Sequence, residues 1–317
     1  SLAGIRVGRY VVQRVIGRGA FGIGYKAFDE QLNRDVALKV PRPEVLLDRD
    51  KLSRFEGEAL ATASLDHAAI VPLYEAELGG ATPFLASAYC AGPNLQQWLD
   101  EHSELCQCRE AAQFIATLSD AVHYAHDHGI IHRDLKPSNI LLVPQESGEA
   151  TRADADSLDF YQPRLTDFGL ARLTQRLEDT NSSLMLGTPL YMAPEQAECR
   201  SDDVGPATDV FGLGAILYQL LTGSPPFAAG SYPAVLIRLR DGDVTAISEI
   251  RPDVDADLET ICLKCLETEQ ADRYSTAQAL VEDLNRYLAS EPISARRTNL
   301  WQKAGDRLAN RTHRIGP

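Results

Sequence analysis

The sequence predicts an α+β protein of two lobes, a small antiparallel sheet first and a larger, mostly helical unit after it. Three observations support this. Up to about residue 90 the chain runs in short segments rich in β-branched residues and broken by turn formers. Beyond Gly92 apolar residues recur at helical spacing over longer stretches. The 317 residues, 44% hydrophobic and 24% charged, describe an ordinary globular chain with enough length for two lobes.

In chain order, Tyr10 to Val15 and Lys26 to Asp29 read as two strands joined by the glycine-rich turn GRGAFGIGY. Gly17, Gly19 and Gly22 set out GxGxxG, where glycine lets backbone amides approach a triphosphate with no side chain in the way. On its own this is equally a plain glycine-rich hairpin. A dinucleotide site would need strand, turn and helix, whereas here a second strand follows the turn. DVALKV, Asp35 to Val40, is an apolar strand with Lys39 inserted, and a lysine in such a strand requires an anionic partner. The segment Asp50 to Ser64 has helical character and offers Glu56 and Glu58. HAAIVPLYEAEL and TPFLASAYCAG supply two more strands. Asn94 then caps a short helix through Leu99, and helices follow over Arg109 to His128, Asp257 to Leu266 and Ser275 to Leu288. Asp209 to Leu221, apolar on nearly all sides, suits the central helix of the large lobe.

Composition excludes several functions. A net charge of −14 argues against generic nucleic-acid binding, which needs a cationic surface to displace counterions. Six scattered cysteines do not form a disulfide framework and point to a reducing compartment. Cys262 and Cys265 have zinc-like spacing, but no second pair completes four ligands, and the apolar pattern of ICLKCL makes them core residues, as are Cys106 and Cys108. His123, His126 and His128 lie near no spaced cysteines or clustered carboxylates and read as structural. No apolar run of about 18 residues spans a membrane, and no secretory signal peptide opens the chain. Val143 to Pro163 holds Glu146, Glu149, Asp154, Asp156 and Asp159 against Arg152; it lacks the glycine and glutamate of a calcium loop, so it reads as a solvated insertion.

The chemistry concentrates in HRDLKPSN, His132 to Asn139. A short loop held at both ends can aim the carboxylate of Asp134, the ammonium of Lys136 and the amide of Asn139 at one phosphate group. Downstream stand LTDFGLA, with Asp167, and GTPLYMAPE, with Thr188 and Glu195. Taken with the glycine turn and Lys39, these motifs resemble, in order and spacing, the eukaryotic-type (Hanks-type) Ser/Thr protein kinases. The resemblance covers roughly residues 10–288. It implies the bilobal protein-kinase fold, with an N-lobe over about residues 10–90 and a C-lobe over about 91–288.

Under that resemblance ATP and Mg2+ are the implied cofactors. Gly17, Gly19, Gly22 and Lys39 hold phosphates, Glu58 pairs with Lys39, and the backbone of Ala88 to Cys90 binds adenine. Asn139 and Asp167 hold the metal, Asp134 takes the acceptor hydroxyl proton, and Lys136 neutralises charge. His132 packs the loop. Ser87 becomes a small residue at the entrance to the back pocket, and Glu195 takes Arg273 as a buried ion partner. Thr188 lines the acceptor wall, while Thr180, Ser182 and Ser183 become phosphorylation sites that Arg133 can read. One departure stands out: Gly24 occupies the position where these kinases carry a valine over the adenine, which implies a looser nucleotide grip.

The implied partners are proteins bearing Ser or Thr, with a homodimer for autophosphorylation. The end of the chain resembles bacterial, planctomycete-like receptor kinases, which implies the cytoplasmic portion of a single-pass membrane protein whose span follows this chain. Residues 289–317 form a basic, juxtamembrane-like tail: Arg296, Arg297, Lys303, Arg307, Arg311 and Arg314 oppose Asp306, and Leu300, Trp301, Ala304 and Leu308 can share one helical face. A helix packed on its own lobe is the plainer reading of that tail. A pseudokinase scaffold is the rival to catalysis, and the presence of Lys39, Glu58, Asp134, Asn139 and Asp167 speaks against it.

Overall fold

The structure, a computed structural model, describes residues 4–19, 22–48, 55–57, 59–60, 62–79, 82–102, 104–145, 157–168 and 190–296. Its first part is a six-stranded antiparallel sheet of order β1-β2-β3-β4-β6-β5. The strands are β1 (Arg6–Val7), β2 (Tyr10–Arg18), β3 (Gly22–Asp29), β4 (Arg34–Pro41), β5 (Leu73–Glu77) and β6 (Phe84–Ala88). Strand β2 runs on through Arg18, past the Val15 at which β-branched alternation ends, because Gly17 pairs with Gly24 across the hairpin. Alternation along β4 sends Val36 and Leu38 into the small-lobe core with Tyr10, Val12 and Phe84, while Lys39 lines the cleft below. Residues 55–57, 59–60 and 62–63 are helical, in line with the helical pattern of that segment, and Phe55 is buried.

The second part is mostly helical: α1 (Leu95–Glu101), α2 (Cys108–Asp127), α3 (Pro206–Thr222), α4 (Tyr232–Asp241), α5 (Ala256–Cys265) and α6 (Ala277–Leu288). Asn94 caps α1 as expected, its Oδ1 accepting from Gln97 N at 2.9 Å. Helix α3 is buried from Ala207 to Leu221 and forms the axis of the lobe. Only glycine fits at two of its positions. A Cβ on Gly214 would lie 2.3 Å from Cys265 Cβ, and one on Gly212 would lie 2.9 Å from Leu135 Cβ. The second contact brings the central helix against the HRDLKPSN loop.

Cys262 and Cys265 are buried beside α3, and burial pushes both thiols well above their ordinary value, as inert core residues require. A two-stranded antiparallel ribbon, β7 (Ile140–Pro144) and β8 (Tyr161–Leu165), flanks the loop. Glu146, Glu149, Asp154 and Asp156 of the acidic insertion lie outside the described residues. Its last turn is docked: Glu110 Oε1 accepts from Ser157 Oγ at 2.7 Å and from the Leu158 N–H, and Leu158 is buried. Past Leu288 the chain folds back, and buried Asp283 accepts from Ser294 N at 2.7 Å and Ala295 N at 2.8 Å. The tail from Arg297 lies outside the described residues.

Candidate active site

The HRDLKPSN loop is built from a buried carboxylate outward. Asp209, in the first turn of α3 and 1% exposed, accepts from His132 N and Arg133 N at 2.8 Å each and meets His126 Nε2 at 2.8 Å. The His132 ring is fully buried, 4.6 Å from the Phe168 ring. Its Nε2 donates to Thr166 O at 3.0 Å and its Nδ1 accepts from Asp134 N at 3.3 Å. That pair of bonds requires the neutral Nε2–H tautomer, so His132 is a packing and orienting residue. Arg133 and Asp167 both adopt left-handed backbone, with φ of 67° and 63°. Such residues persist only where their surroundings fix them.

On this frame the polar groups converge. Asp134 Oδ2 accepts from Lys136 Nζ at 2.7 Å and from Asn139 Nδ2 at 3.1 Å, and the same Asn139 amide donates to Asp134 O at 2.8 Å. Among the described residues no donor reaches Asp134 Oδ1. Lys39 Nζ donates to Asp167 Oδ1 at 2.8 Å, joining the two lobes.

All of these line one cleft of about 760 Å³. Gly17, Gly19, Gly22 and Gly24 form its roof, Ala88 and Cys90 its back edge, and Asp134, Lys136, Asn139 and Asp167 its floor. Burial pushes the Cys90 thiol up, which keeps it protonated at neutral pH. Ser87 lines the cleft as well. Glu58, Thr180, Ser182, Ser183 and Thr188 lie outside the described residues. The glycine roof suits a phosphate chain: a Cβ on Gly17 would meet nothing within 4 Å and project into open space, and one on Gly22 would lie 2.7 Å from Val40 O. The floor offers hard oxygen donors in the Asn139 amide and the Asp167 carboxylate, the set that suits magnesium.

The profile of the family described as "Protein kinase domain" matches residues 10–284. The chain belongs to the protein kinase family. The domain is of the bacterial serine/threonine type, as its relatives indicate. It is 34% identical over 314 residues to the serine/threonine-protein kinase PknB of Mycobacterium tuberculosis, covering 95% of this chain and 47% of that protein. A probable serine/threonine-protein kinase of Streptomyces coelicolor is 32% identical over 294 residues, which are 91% of this chain and 41% of the relative. The chain thus spans under half the length of these curated relatives. The crystal structure of the Mycobacterium tuberculosis PknI kinase domain, C20A mutant, superposes with a TM-score of 0.66 at 24% identity, covering 90% of this chain and 98% of that one. This likeness shows the bilobal fold. Membership in the family implies ATP, magnesium and protein substrates in general terms. Among the described residues no helix is long and apolar enough to cross a membrane.

In this kinase domain the short helix Pro194–Ala197 is anchored by a buried ion pair. Arg273 Nη1 and Nη2 meet Glu195 Oε1 and Oε2 at 2.8 and 2.9 Å, and both side chains are fully buried. Thr208 Oγ1 also donates to Glu195 Oε1 at 2.8 Å, and Arg273 Nε donates to Glu267 O at 2.7 Å. Burial alone would raise the Glu195 carboxyl, but the Arg273 bonds and charge outweigh it and hold it below the ordinary carboxylate value. Two residues of the kinase site carry no such motif in the sequence. Asp209 opens an otherwise apolar helix and Gln196 belongs to no chemical pattern in the sequence, yet Gln196 Nε2 donates to Arg133 O at 2.7 Å.

Proposed function

We propose that this domain, over residues 10–288, transfers the γ-phosphoryl group of ATP to serine or threonine hydroxyls of proteins, with Asp134 as the residue that receives the acceptor hydroxyl. The observation that carries the reading is the state of the Asp134 carboxylate. Lys136 and Asn139 occupy Oδ2 and so fix the plane of the group. Its other oxygen is left to accept a hydroxyl hydrogen.

Lys39, held between the lobes by Asp167, sits where it can neutralise a phosphate chain under the glycine roof. The backbone of Ala88 to Cys90 serves as the adenine edge, because peptide N–H and C=O groups bind a purine whatever side chains they carry. Asn139 and Asp167 would hold magnesium, which when bound would offset the negative charge that develops on the phosphate. Lys136 places a second cation beside the acceptor carboxylate, 2.7 Å from it. Positioning and charge neutralisation supply most of the rate in such a reaction, since the protein forms no covalent bond. The basic tail, with Arg297, Lys303, Arg307, Arg311 and Arg314, suits an anionic membrane surface next to the domain.

Wild type and Asp134→Asn, incubated with labelled ATP, magnesium and a generic protein substrate, test this. Label should pass to serine and threonine with the wild type and fall by at least about 100-fold with the variant, the usual worth of a positioned acid–base group. Equal, background-level labelling by both would remove the enzymatic reading.

A further inference from the structure

Gln196 stands next to the ion-paired Glu195, in the one-turn helix Pro194–Ala197, and uses both ends of its amide. Its Oε1 accepts from Ala193 N at 3.1 Å, and its Nε2 donates to Arg133 O at 2.7 Å. That acceptor is the carbonyl of a residue in left-handed backbone, φ 67°. The N–H of Arg133 is held by Asp209 Oδ1 at 2.8 Å. The N–H on the far side of the next peptide, that of Asp134, is held by His132 Nδ1 at 3.3 Å. The peptide plane between Arg133 and Asp134 is therefore clamped at both of its polar atoms, its carbonyl by Gln196 and its N–H by His132. The orientation of that plane sets the direction in which Asp134 leaves the backbone.

We propose that Gln196 is a positioning residue for Asp134: it transmits the placement of the anchored end of the substrate-side segment to the catalytic loop. The inference rests on the kinase reading of Asp134. The chemistry is selective for an amide. A carboxylate of the same length keeps the bond from Ala193 N–H but sets an acceptor against the Arg133 carbonyl. Methionine keeps the volume and makes neither bond. Stability is supplied separately, by the ion pair that Glu195, in the same short segment, makes with Arg273. Loss of the Gln196 bond should therefore act on turnover and not on ATP binding.

The test measures kcat and KM for ATP in wild type, Gln196→Glu, Gln196→Met and Asp134→Asn, each at a temperature where circular dichroism shows the variant folded. Both Gln196 variants should lose at least tenfold in kcat, with KM for ATP within twofold of wild type. A kcat within twofold of wild type in either variant overturns the positioning role. So does a rise in KM for ATP that matches the fall in kcat, which would assign Gln196 to the nucleotide. A wild type no more active than Asp134→Asn would instead sink the kinase reading and this inference with it. Activity that is normal in wild type and in the Gln196 variants would sink the inference alone.

Discussion

The floor and the roof of the cleft are held in opposite ways. On the floor, the backbone before Asp134 is fixed by side chains: buried Asp209 from α3, buried His132 from within the loop, and half-buried Gln196 from the segment behind Glu195. The roof is held by strand pairing, Gly17 with Gly24 and Gly24 with Lys39, and its flanking Val15 and Ile16 are exposed. One exposed side-chain bond, Arg14 Nη2 to Tyr89 OH at 2.9 Å, ties it to the back edge. On the proposed function, geometry beside Asp134 is thus set by the fold, while grip on a nucleotide would be left to backbone and open to tuning. Substitutions in the floor should cost stability and turnover, and those in the roof should move affinity.

The largest effect is expected where the floor is anchored. Arg273→Ala leaves the Glu195 carboxylate buried without its cation and also strips donors from the carbonyls of Ala207, Glu267 and Thr268. Breaking a buried pair in this way typically costs about 3–5 kcal/mol. Thermal denaturation should show a fall in Tm of roughly 10 °C for a chain of this size. A fall of less than about 2 °C, within the range of a surface substitution, would mean that the pair contributes nothing net to the floor.

A smaller effect comes from titrating the same pair. Since the folded state holds Glu195 below its ordinary value, the pair's charge contribution is complete above that value and is lost as pH falls through the folded one. An unperturbed glutamate titrates near about 4.3. The Tm difference between wild type and Glu195→Gln should therefore be constant from neutral pH down to about pH 5 and shrink below about pH 4. A difference that widens on acidification would reverse the sign and show that Glu195 is buried as the acid.

The contrast between floor and roof also explains what could be read without the structure. Alternation in β2 to β6 and helical spacing in α2, α3, α5 and α6 follow directly from which face is buried, so the lobes were legible. Lys39, Asp134, Lys136, Asn139 and Asp167 were legible because chemistry restricts the residue type, and the structure brings all five to one cleft. Asp209 and Gln196 were not, because their partners are backbone N–H and C=O groups of Arg133 and its neighbours. Every residue carries such groups, so no side-chain pattern marks them. The same holds for Asp283, which captures Ser294 and Ala295 and extends the docked chain past the end of α6. Close approaches leave a fainter trace: Gly212 in an otherwise apolar helix marks the contact with Leu135, but the glycine does not say what it faces.

The smallest expected effect lies in the roof, at Gly24. A Cβ built there would lie 3.4 Å from Ile16 Cγ1 and 3.8 Å from Gly17, ordinary contacts that a valine can accept. The neighbouring Gly22 contrasts with it, since its Cβ would be forced to 2.7 Å from the Val40 carbonyl. Gly24 sits mid-strand between Gly17 and Lys39, where a β-branched residue is favoured and glycine carries an entropic cost of about 0.5–1 kcal/mol. Valine would stiffen the hairpin and add apolar surface to the wall of the cleft. Burying one or two further methyl groups against a bound base is worth about 1 kcal/mol. Gly24→Val should accordingly lower KM for ATP by about fivefold while leaving kcat within twofold. Gly22→Ala should raise KM, because its clash is with backbone that carries Lys39. If Gly24→Val left KM unchanged while Gly22→Ala raised it, the roof would prove as fixed as the floor, and the division between a rigid acceptor side and a tunable nucleotide side would fail.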